Sequence, residues 1–437
     1  MMGIKGSLLF LLLTSLGLAW VRSDRVVPGE KHVVELSYWN GFTGPDGRTM
    51  LQMVRQFNRE NPDVQITMQR IAWATYYNKL MVAGIGGRGP EIFVMPSAML
   101  PQMYRAGFID EITDVYGPGG ALKAQFDPKL IKIVDVGTDH EELIGLPLDV
   151  HAQGMYCNGA MLKEAGFVNA DGSPRPPKNR EEFLAAASAM RKDTDGDGQP
   201  DLWGFGYGQW DRNFMSLVPQ FGGRLLDEKG EPVLDDPGDV QALQFLADLY
   251  LKYHLAPPPE AGVAGWVGFR QQKVGMVFDG VYMLGDLKRL EGHPYIGAPM
   301  PQIGPYPGTL ADSHILCVRK GLPPDQRAGA EKLIRFISDH SIIWAEAGQI
   351  PARKDVRETE AFKKMQVQYA FSQQLDYVMY PPRTPLFGEL NAQIVLAVES
   401  AIRGRATPID ALRQANRDYK RYLDRDRADN LVSSEVK

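Results

Sequence analysis

The densest chemistry in the chain lies in nine residues, DTDGDGQPD, from Asp193 to Asp201. Asp193, Asp195, Asp197 and Asp201 occupy loop positions 1, 3, 5 and 9, Gly198 occupies 6, and the Gln199 carbonyl would serve at 7. That is the ligand spacing of the first nine positions of a calcium loop. Position 12, where a bidentate Glu belongs, is Gly204. Two readings stay open. One is a structural calcium of reduced affinity, held by Asp193, Asp195, Asp197, Gln199 and Asp201. The other is an Asp/Gly surface turn.

Catalytic patterns are missing. There is no Gly-x-Ser-x-Gly elbow, no Walker loop, no dinucleotide glycine fingerprint and no His-Glu-x-x-His helix. The 7 histidines fall without ligand spacing. Counting acids does not exclude a carboxylate pair for glycoside hydrolysis.

A second chemistry is suggested by aromatics in Gly/Pro-punctuated loops. They include Trp39, Phe42, Trp73, Tyr76, Trp210, Trp266, Tyr282, Trp344 and Phe387. A sugar ring offers a C–H face to an aromatic plane and a hydroxyl rim to planar donors and acceptors. Trp39-Asn40, Asp149-x-His151, Asp279-Gly280-x-Tyr282 and Asp312-Ser313-His314 each combine such types. Core packing is the competing reading for any one of these rings. Their recurrence at expected strand ends carries the argument.

The elements that would position them follow from periodicity. Val33 to Trp39 alternates as a strand. Met50, Met53, Val54 and Phe57 recur as a helix face, and Asn61-Pro62 stops that helix. Val64 to Met68 is a second strand, Tyr76 to Val82 a second helix, and Ile92 to Met95 a short buried strand. This βαβαβ order predicts an open sheet with ligands at its carboxyl ends: Trp39-Asn40, Trp73 to Tyr77 and Pro96-Ser97. The stretch IGLPLDVHAQGMYCNGAM, from Ile144 to Met161, then opens a second α/β unit. It reads as the first connection between two lobes, with Asp149 and His151 at their junction, a favoured place for ligands. Val274 to Phe278 and Ile315 to Val318 read as buried strands, and the chain beyond 328 as mainly helical.

Residues 1–23 read as a secretory signal peptide, with Lys5 before the apolar run Leu8 to Val21. No cysteine follows that run, so a free periplasmic form without lipid attachment is expected. Its removal leaves 46 basic against 53 acidic residues, a formal charge of −7. Mild acidity argues against nucleic acid and anionic membrane surfaces as partners. Cys157 and Cys317 are the only cysteines, in apolar runs; buried thiols and a disulfide both remain open.

In order along the chain stand WNGFTGPDG, FNRENPDV, PEIFVM, AGFIDEIT, GLPLDV, YCNGAMLKEAGF, DTDGDGQPDLWGFGY, FRQQKVGMVFDG, IPAR and FGEL…VESAIRG. From about Val33 to about 420 this order resembles the extracellular solute-binding proteins of family 1, the maltose-binding-protein-like receptors of sugar ABC importers. Cys157 departs from the tyrosine such proteins often carry there. The resemblance implies an α/β, two-lobed periplasmic-binding-protein fold, with parallel or mixed sheets flanked by helices and a hinge between the lobes. Lobe one would comprise 33–147 plus 274–318, and lobe two 149–272 plus 319–424. The crossings would fall near Leu148, Lys273 and Arg319, and 425–437 would be a charged, frayed tail. It further implies a monomer that performs no chemistry, encloses a carbohydrate, and docks the membrane permease subunits of an ABC importer. No cofactor is required.

The expected ligand set is Trp39, Asn40, Asp46, Trp73, Tyr76, Ser97, Asp149, His151, Trp210, Trp266, Asp279, Tyr282, Asp312, Ser313 and Arg353. Trp39 and Tyr282 are expected as rings lining the cleft, with Asp149 as a hydroxyl acceptor between them. A receptor for another solute, such as glycerol 3-phosphate or a sugar derivative, is the alternative within the fold. A secreted glycosidase is the alternative from another class.

Overall fold

The structure, a computed structural model, describes residues 33–435, without the side chains of 85 and 431–435. The expected signal segment lies outside the described residues. No helix among them is long and apolar enough to cross a membrane.

Two sheets organise the chain from Val34 on. The first runs β2 (Val64–Arg70), β1 (Val34–Asn40), β3 (Ile92–Pro96), β10 (His314–Val318) and β4 (Leu146–Pro147). β2, β1 and β3 are parallel, and β10 runs antiparallel to β3 and β4. The expected βαβαβ unit is therefore present. Its first helix, Pro45–Glu60, starts on Pro45, buries Met50, Met53, Val54 and Phe57, and ends at Asn61. Asn58 reaches from this helix to the outer edge of β2. Its Oδ1 accepts from the Ile66 N–H at 2.9 Å and its Nδ2 donates to the Ile66 carbonyl at 3.0 Å. That pair satisfies backbone groups an edge strand would otherwise expose.

The second sheet runs β11 (Val378–Met379), β9 (Thr309–Asp312), β5 (His151–Asn158), β7 (Val274–Gly280) and β6 (Trp203–Tyr207). β8 (Tyr295–Ala298) also pairs with β5. This corrects the expected division of the chain. Segment 274–312 belongs with the second sheet, since β7 lies between β5 and β6. Every residue of β7 is buried, so its apolar run carried no mark of which sheet it joins.

The crossings shift accordingly. The first does pass through Leu148. The second lies at Ser313, between β9 and β10, rather than at Lys273. The third lies near 348–352, rather than at Arg319, which follows β10. Leu148 N–H donates to the His314 carbonyl at 2.8 Å, Val150 N–H to Ile350 at 2.8 Å, and Ala352 N–H to Leu148 at 3.2 Å. The first crossing is thereby bonded to both others.

Three further differences concern the C-terminal half. The helix Pro324–Asp339 packs on β1, in the first sheet. Within the stretch expected to be mainly helical, residues 358–379 form short helical pieces ending in β11. The expected frayed tail is helical as far as Glu435, the end of Pro408–Glu435, and is tied down by Asp426 to Arg105 and by Arg427 to Glu231. Both cysteines are buried and free.

One buried acid is left without support. Asp239, in the first turn of the helix Pro237–Leu251, is 0% exposed, and neither carboxylate oxygen has a partner among the described residues. Burial, with Asp236 beside it, pushes its carboxyl up to about 9. An unfolded Asp titrates near 3.9. Between those values the folded chain holds a proton that the unfolded chain has lost. Stability therefore falls as pH rises through that window, by up to about 1.4 kcal/mol per pH unit. Asp239→Asn should raise the melting temperature more at pH 8 than at pH 5. An equal change at both, by calorimetry, would show that the carboxyl ionises normally.

Candidate functional site

A cavity of about 560 Å³ opens between the two sheets. Its walls come from the expected strand ends. The β1 loop supplies Gly41 and Asp46, the start of the helix after β2 supplies Trp73 and Tyr77, and the end of β3 supplies Pro96 and Ala98. The second sheet supplies Gln209 and Arg212 after β6, Tyr282 and Asp286 after β7, and Asp312 at the end of β9. His151 and His314, which begin β5 and β10, and Gln349 close the back at the crossings.

Trp73 organises the aromatic side. Its ring stacks on Tyr77 at 5.8 Å and 26°, and on His314 at 5.7 Å and 12°, and meets buried Phe42 edge-on. A Cβ at Gly41 would lie 2.1 Å from the indole, so only glycine lets the ring cover the backbone there. Across the cavity, Tyr282 accepts from Gln209 Nε2 at 3.1 Å and meets His151 edge-on at 6.0 Å. Gly280 makes the same allowance, since a Cβ would lie 2.0 Å from the Tyr282 ring.

Asp149 lies behind the histidines and is 0% exposed. His314 Nδ1 reaches its Oδ2 at 2.8 Å, and Trp344 Nε1 donates to the same oxygen at 2.7 Å. The His314 N–H donates to Oδ1 at 3.0 Å, and His151 Nδ1 lies 3.4 Å from that oxygen. Burial pushes the carboxyl up, but the two histidines outweigh it and hold Asp149 well below the usual range. For His314, burial pushes down and Asp149 more than reverses it, so the ring holds its proton above its ordinary value. Burial and the neighbouring His314 push His151 below its ordinary value. Asp149, His151 and His314 each bring a ligating atom within 4.8 Å of the others. The four nitrogen contacts already occupy the carboxylate, so the cluster is hydrogen-bonded and does not fit a metal centre.

Comparison with known proteins places this architecture. A family model described as bacterial extracellular solute-binding protein matches residues 52–367. The chain belongs to that family. The solute-binding protein is 24% identical to the arabinooligosaccharide-binding protein of Bacillus subtilis over 245 residues, 54% of this chain and 51% of that one. It therefore spans about half the length of that relative. Among solved structures, it is similar to the maltose/maltodextrin-binding domain from Bdellovibrio bacteriovorus bound to maltotriose. That likeness has TM-score 0.74 and 20% identity, over 90% of this chain and 100% of the other. It is also similar to an ABC substrate-binding protein from Listeria monocytogenes in complex with cycloalternan. There the TM-score is 0.76 and the identity 19%, over 90% and 99% of the two chains. These likenesses establish the two-lobed fold. The family is one of binding proteins rather than enzymes.

Of the residues expected from sequence, Asp46, Trp73, His151, Tyr282 and Asp312 line the cavity of the solute-binding protein. Ser97 lies just behind, its hydroxyl on Asp312 Oδ1 at 2.5 Å, and buried Ser313 joins Asp312 to His314. Asp149 is brought to the site but not to its wall. Buried Asn40 uses its Oδ1 to accept from the Phe42 N–H at 3.2 Å. Tyr76 is a core residue whose hydroxyl donates to the Val94 carbonyl at 2.8 Å. Its neighbour Tyr77 takes the place expected for it.

Trp39 stands off the wall, with Lys79 Nζ 4.8 Å above its ring. Trp210 lies under Arg403, and Trp266 stacks on Phe269 while donating to Asp286 Oδ2 at 2.9 Å. Asp279, buried behind Tyr282, has its carboxyl pushed up by burial to about 6. Arg353 is spent on Asp339 and Asp355. Sequence reasoning missed Tyr77, Gln209, Arg212, Asp286 and Gln349. Strand-end position could have found Tyr77 and Gln209; nothing local marked Arg212, Asp286 or Gln349. His314 was noted only beside Asp312.

The separation of Trp39 from Trp73 is testable. Trp39→Ala should lower stability by up to about 3 kcal/mol and leave affinity of the folded fraction unchanged. Trp73→Ala should weaken ligand binding by about 1–3 kcal/mol, several-fold to about a hundredfold. Calorimetric affinity beside melting temperature separates the two; equal loss of affinity in both variants would reject the placement.

Proposed function

We propose that this protein is a monomeric periplasmic receptor that captures a sugar or short oligosaccharide between its lobes and delivers it to an ABC importer permease. The carrying observation is the pairing of walls: stacked Trp73 and Tyr77 from the first sheet's strand ends share one cavity with the polar side chains of Gln209, Arg212 and Asp312 from the second. Gln349 and Asn391 add side-chain amides to the same lining. Stacked rings suit the C–H face of a sugar, and amide and carboxylate side chains suit its hydroxyls. The ligands named for the relatives, arabinooligosaccharide, maltotriose and cycloalternan, support this reading. Export by the segment 1–23 and closure on the bound sugar belong to the same proposal.

One observation favours a second reading within the fold. Arg212 is the sole Lys or Arg among the described cavity-lining residues, and its guanidinium makes no hydrogen bond there. A fork of unspent donors matches a carboxylate or phosphate, hence an acidic sugar derivative. Burial pushes the Arg212 guanidinium down, but Tyr282, Asp312 and Asp211 more than reverse it, and these neighbours lower its call for a ligand anion.

A thermal-shift panel of neutral saccharides, uronates and sugar phosphates tests both, since a ligand of the native state raises the melting temperature. A neutral sugar should give the largest shift and be recovered unchanged after incubation. Steady release of a hydrolysed product would overturn the receptor reading.

We also propose that the exposed acidic loop holds a structural calcium. Carboxylate oxygens of Asp193, Asp195 and Asp197 come within 4.8 Å of one another. Asp193 accepts from the N–H groups of Gly196 and Gly198, and Asp201 is turned to Thr194. The loop lies outside the cavity wall. Chelation should lower the melting temperature and spare sugar affinity. Superimposable melting curves with and without chelator would remove the ion.

A further inference from the structure

We propose that Asp149 is a positioning residue of the cleft. It draws Nδ1 of both His151 and His314 inward, so that the two Nε2 atoms meet the ligand as an acceptor beside a donor. The proposal rests on the sugar reading and narrows it to a ligand presenting two adjacent free hydroxyls at the crossings.

The geometry carries this. Both imidazoles line the cavity, yet His151 is 4% and His314 8% exposed, so each ring offers little surface to it. The Nδ1 atoms face Asp149 at 3.4 Å and 2.8 Å. His314 Nε2 has no partner among the described residues. His151 Nε2 stands 3.9 Å from Asp312 Oδ2, too far for a hydrogen bond. Asp312 Oδ1 is already taken by the Ser97 hydroxyl and the Ser313 N–H. A ligand hydroxyl can donate to His151 Nε2. A neighbouring hydroxyl accepts from His314 Nε2–H. The ring centroids are 4.4 Å apart, a spacing that a vicinal diol can bridge.

Charge sets the protonation this requires. His314 faces Asp149 from the first crossing, Asp312 from β9 and Asp46 from the helix Pro45–Glu60, and these carboxylates favour its imidazolium. His151 faces the same Asp149 and Asp312, the imidazolium of His314, and the edge of Tyr282; burial and His314 keep it neutral. Arg212 lies beyond, coupled to Asp312. A neutral His151 with its proton on Nδ1 leaves Nε2 as an acceptor. Acid converts that acceptor to a donor and sets two cations side by side. Base removes the donor from His314. Affinity should therefore pass through a maximum with pH and fall on both sides.

The test begins with the mature, ligand-free protein, labelled with ¹⁵N-histidine, and Gln variants of His151 and His314 assign the signals. The expected result is an Nδ1-protonated neutral His151 and a His314 that titrates above its ordinary value. In Asp149→Asn the His314 titration should move to lower pH, and the alkaline limb of the affinity profile should move with it. An Nε2-protonated His151, or a His314 that titrates at or below its ordinary value, overturns the proposal. The wild-type titration decides this even if Asp149→Asn does not fold. The second arm adds the sugar that raises the melting temperature, with maltotriose as the first probe. Both Nε2 signals should shift. A sugar that binds and moves neither overturns the proposal and leaves the receptor standing. If no sugar raises the melting temperature the receptor reading falls, and the tautomers still decide what Asp149 does.

Discussion

A single buried carboxylate, Asp149, holds the centre of this molecule together. It is 0% exposed and meets four nitrogens, from His151, from both the ring and backbone of His314, and from Trp344. An isolated buried carboxylate would carry a desolvation penalty of several kcal/mol, which is tolerable only with full hydrogen bonding. The residues that provide it come from different parts of the chain. Asp149 and His151 belong to the first crossing, His314 follows the second, and Trp344 lies in the helix Ser341–Glu346 just before the third. The charge can be satisfied only when all these segments are in place. It therefore ties the register of the crossings to the assembly of the cleft.

The same cluster divides the cleft into layers. The Asp149 carboxylate stands behind, the two imidazoles and the rings stand in front, and glycines let the rings lie close. Trp73 reaches the wall because Gly41 has no side chain, and Tyr282 reaches it because of Gly280. Each lobe thus offers rings and polar groups from its strand ends. A solute entering between them would contact both lobes, and contacts made by both favour the closed arrangement.

Family membership and site geometry answer different questions. The family model and the similar folds make this a two-lobed solute-binding protein. They leave the solute to the cavity lining, because one fold carries many sites. Here the lining joins stacked rings, two histidines backed by Asp149 and one unpaired guanidinium. That combination, rather than the fold, sets which solute is accepted.

Much of the architecture was legible in the sequence. The spacing of Met50, Met53, Val54 and Phe57 defined a helix face, and alternation defined β1 and β2. The strand-end rule located the loops of Gly41 to Asp46, Trp73 to Tyr77 and Pro96 that line the cavity. These are local patterns, imposed by helical and strand periods on neighbouring residues. What needed the tertiary structure was sidedness and partnership. β7 is buried throughout, so no alternation told which sheet it joins. Tyr76 and Tyr77 are adjacent, yet one enters the core and the other the cavity. Trp39 reads as well as Trp73 for a platform until Lys79 is seen above one and His314 against the other. Asp149 reads as a ligand acceptor until its four nitrogen contacts are counted. Three of them come from His314 and Trp344, 165 and 195 positions away. A local pattern records a residue's own periodicity, whereas a buried charge or a cavity wall depends on what distant segments bring to it.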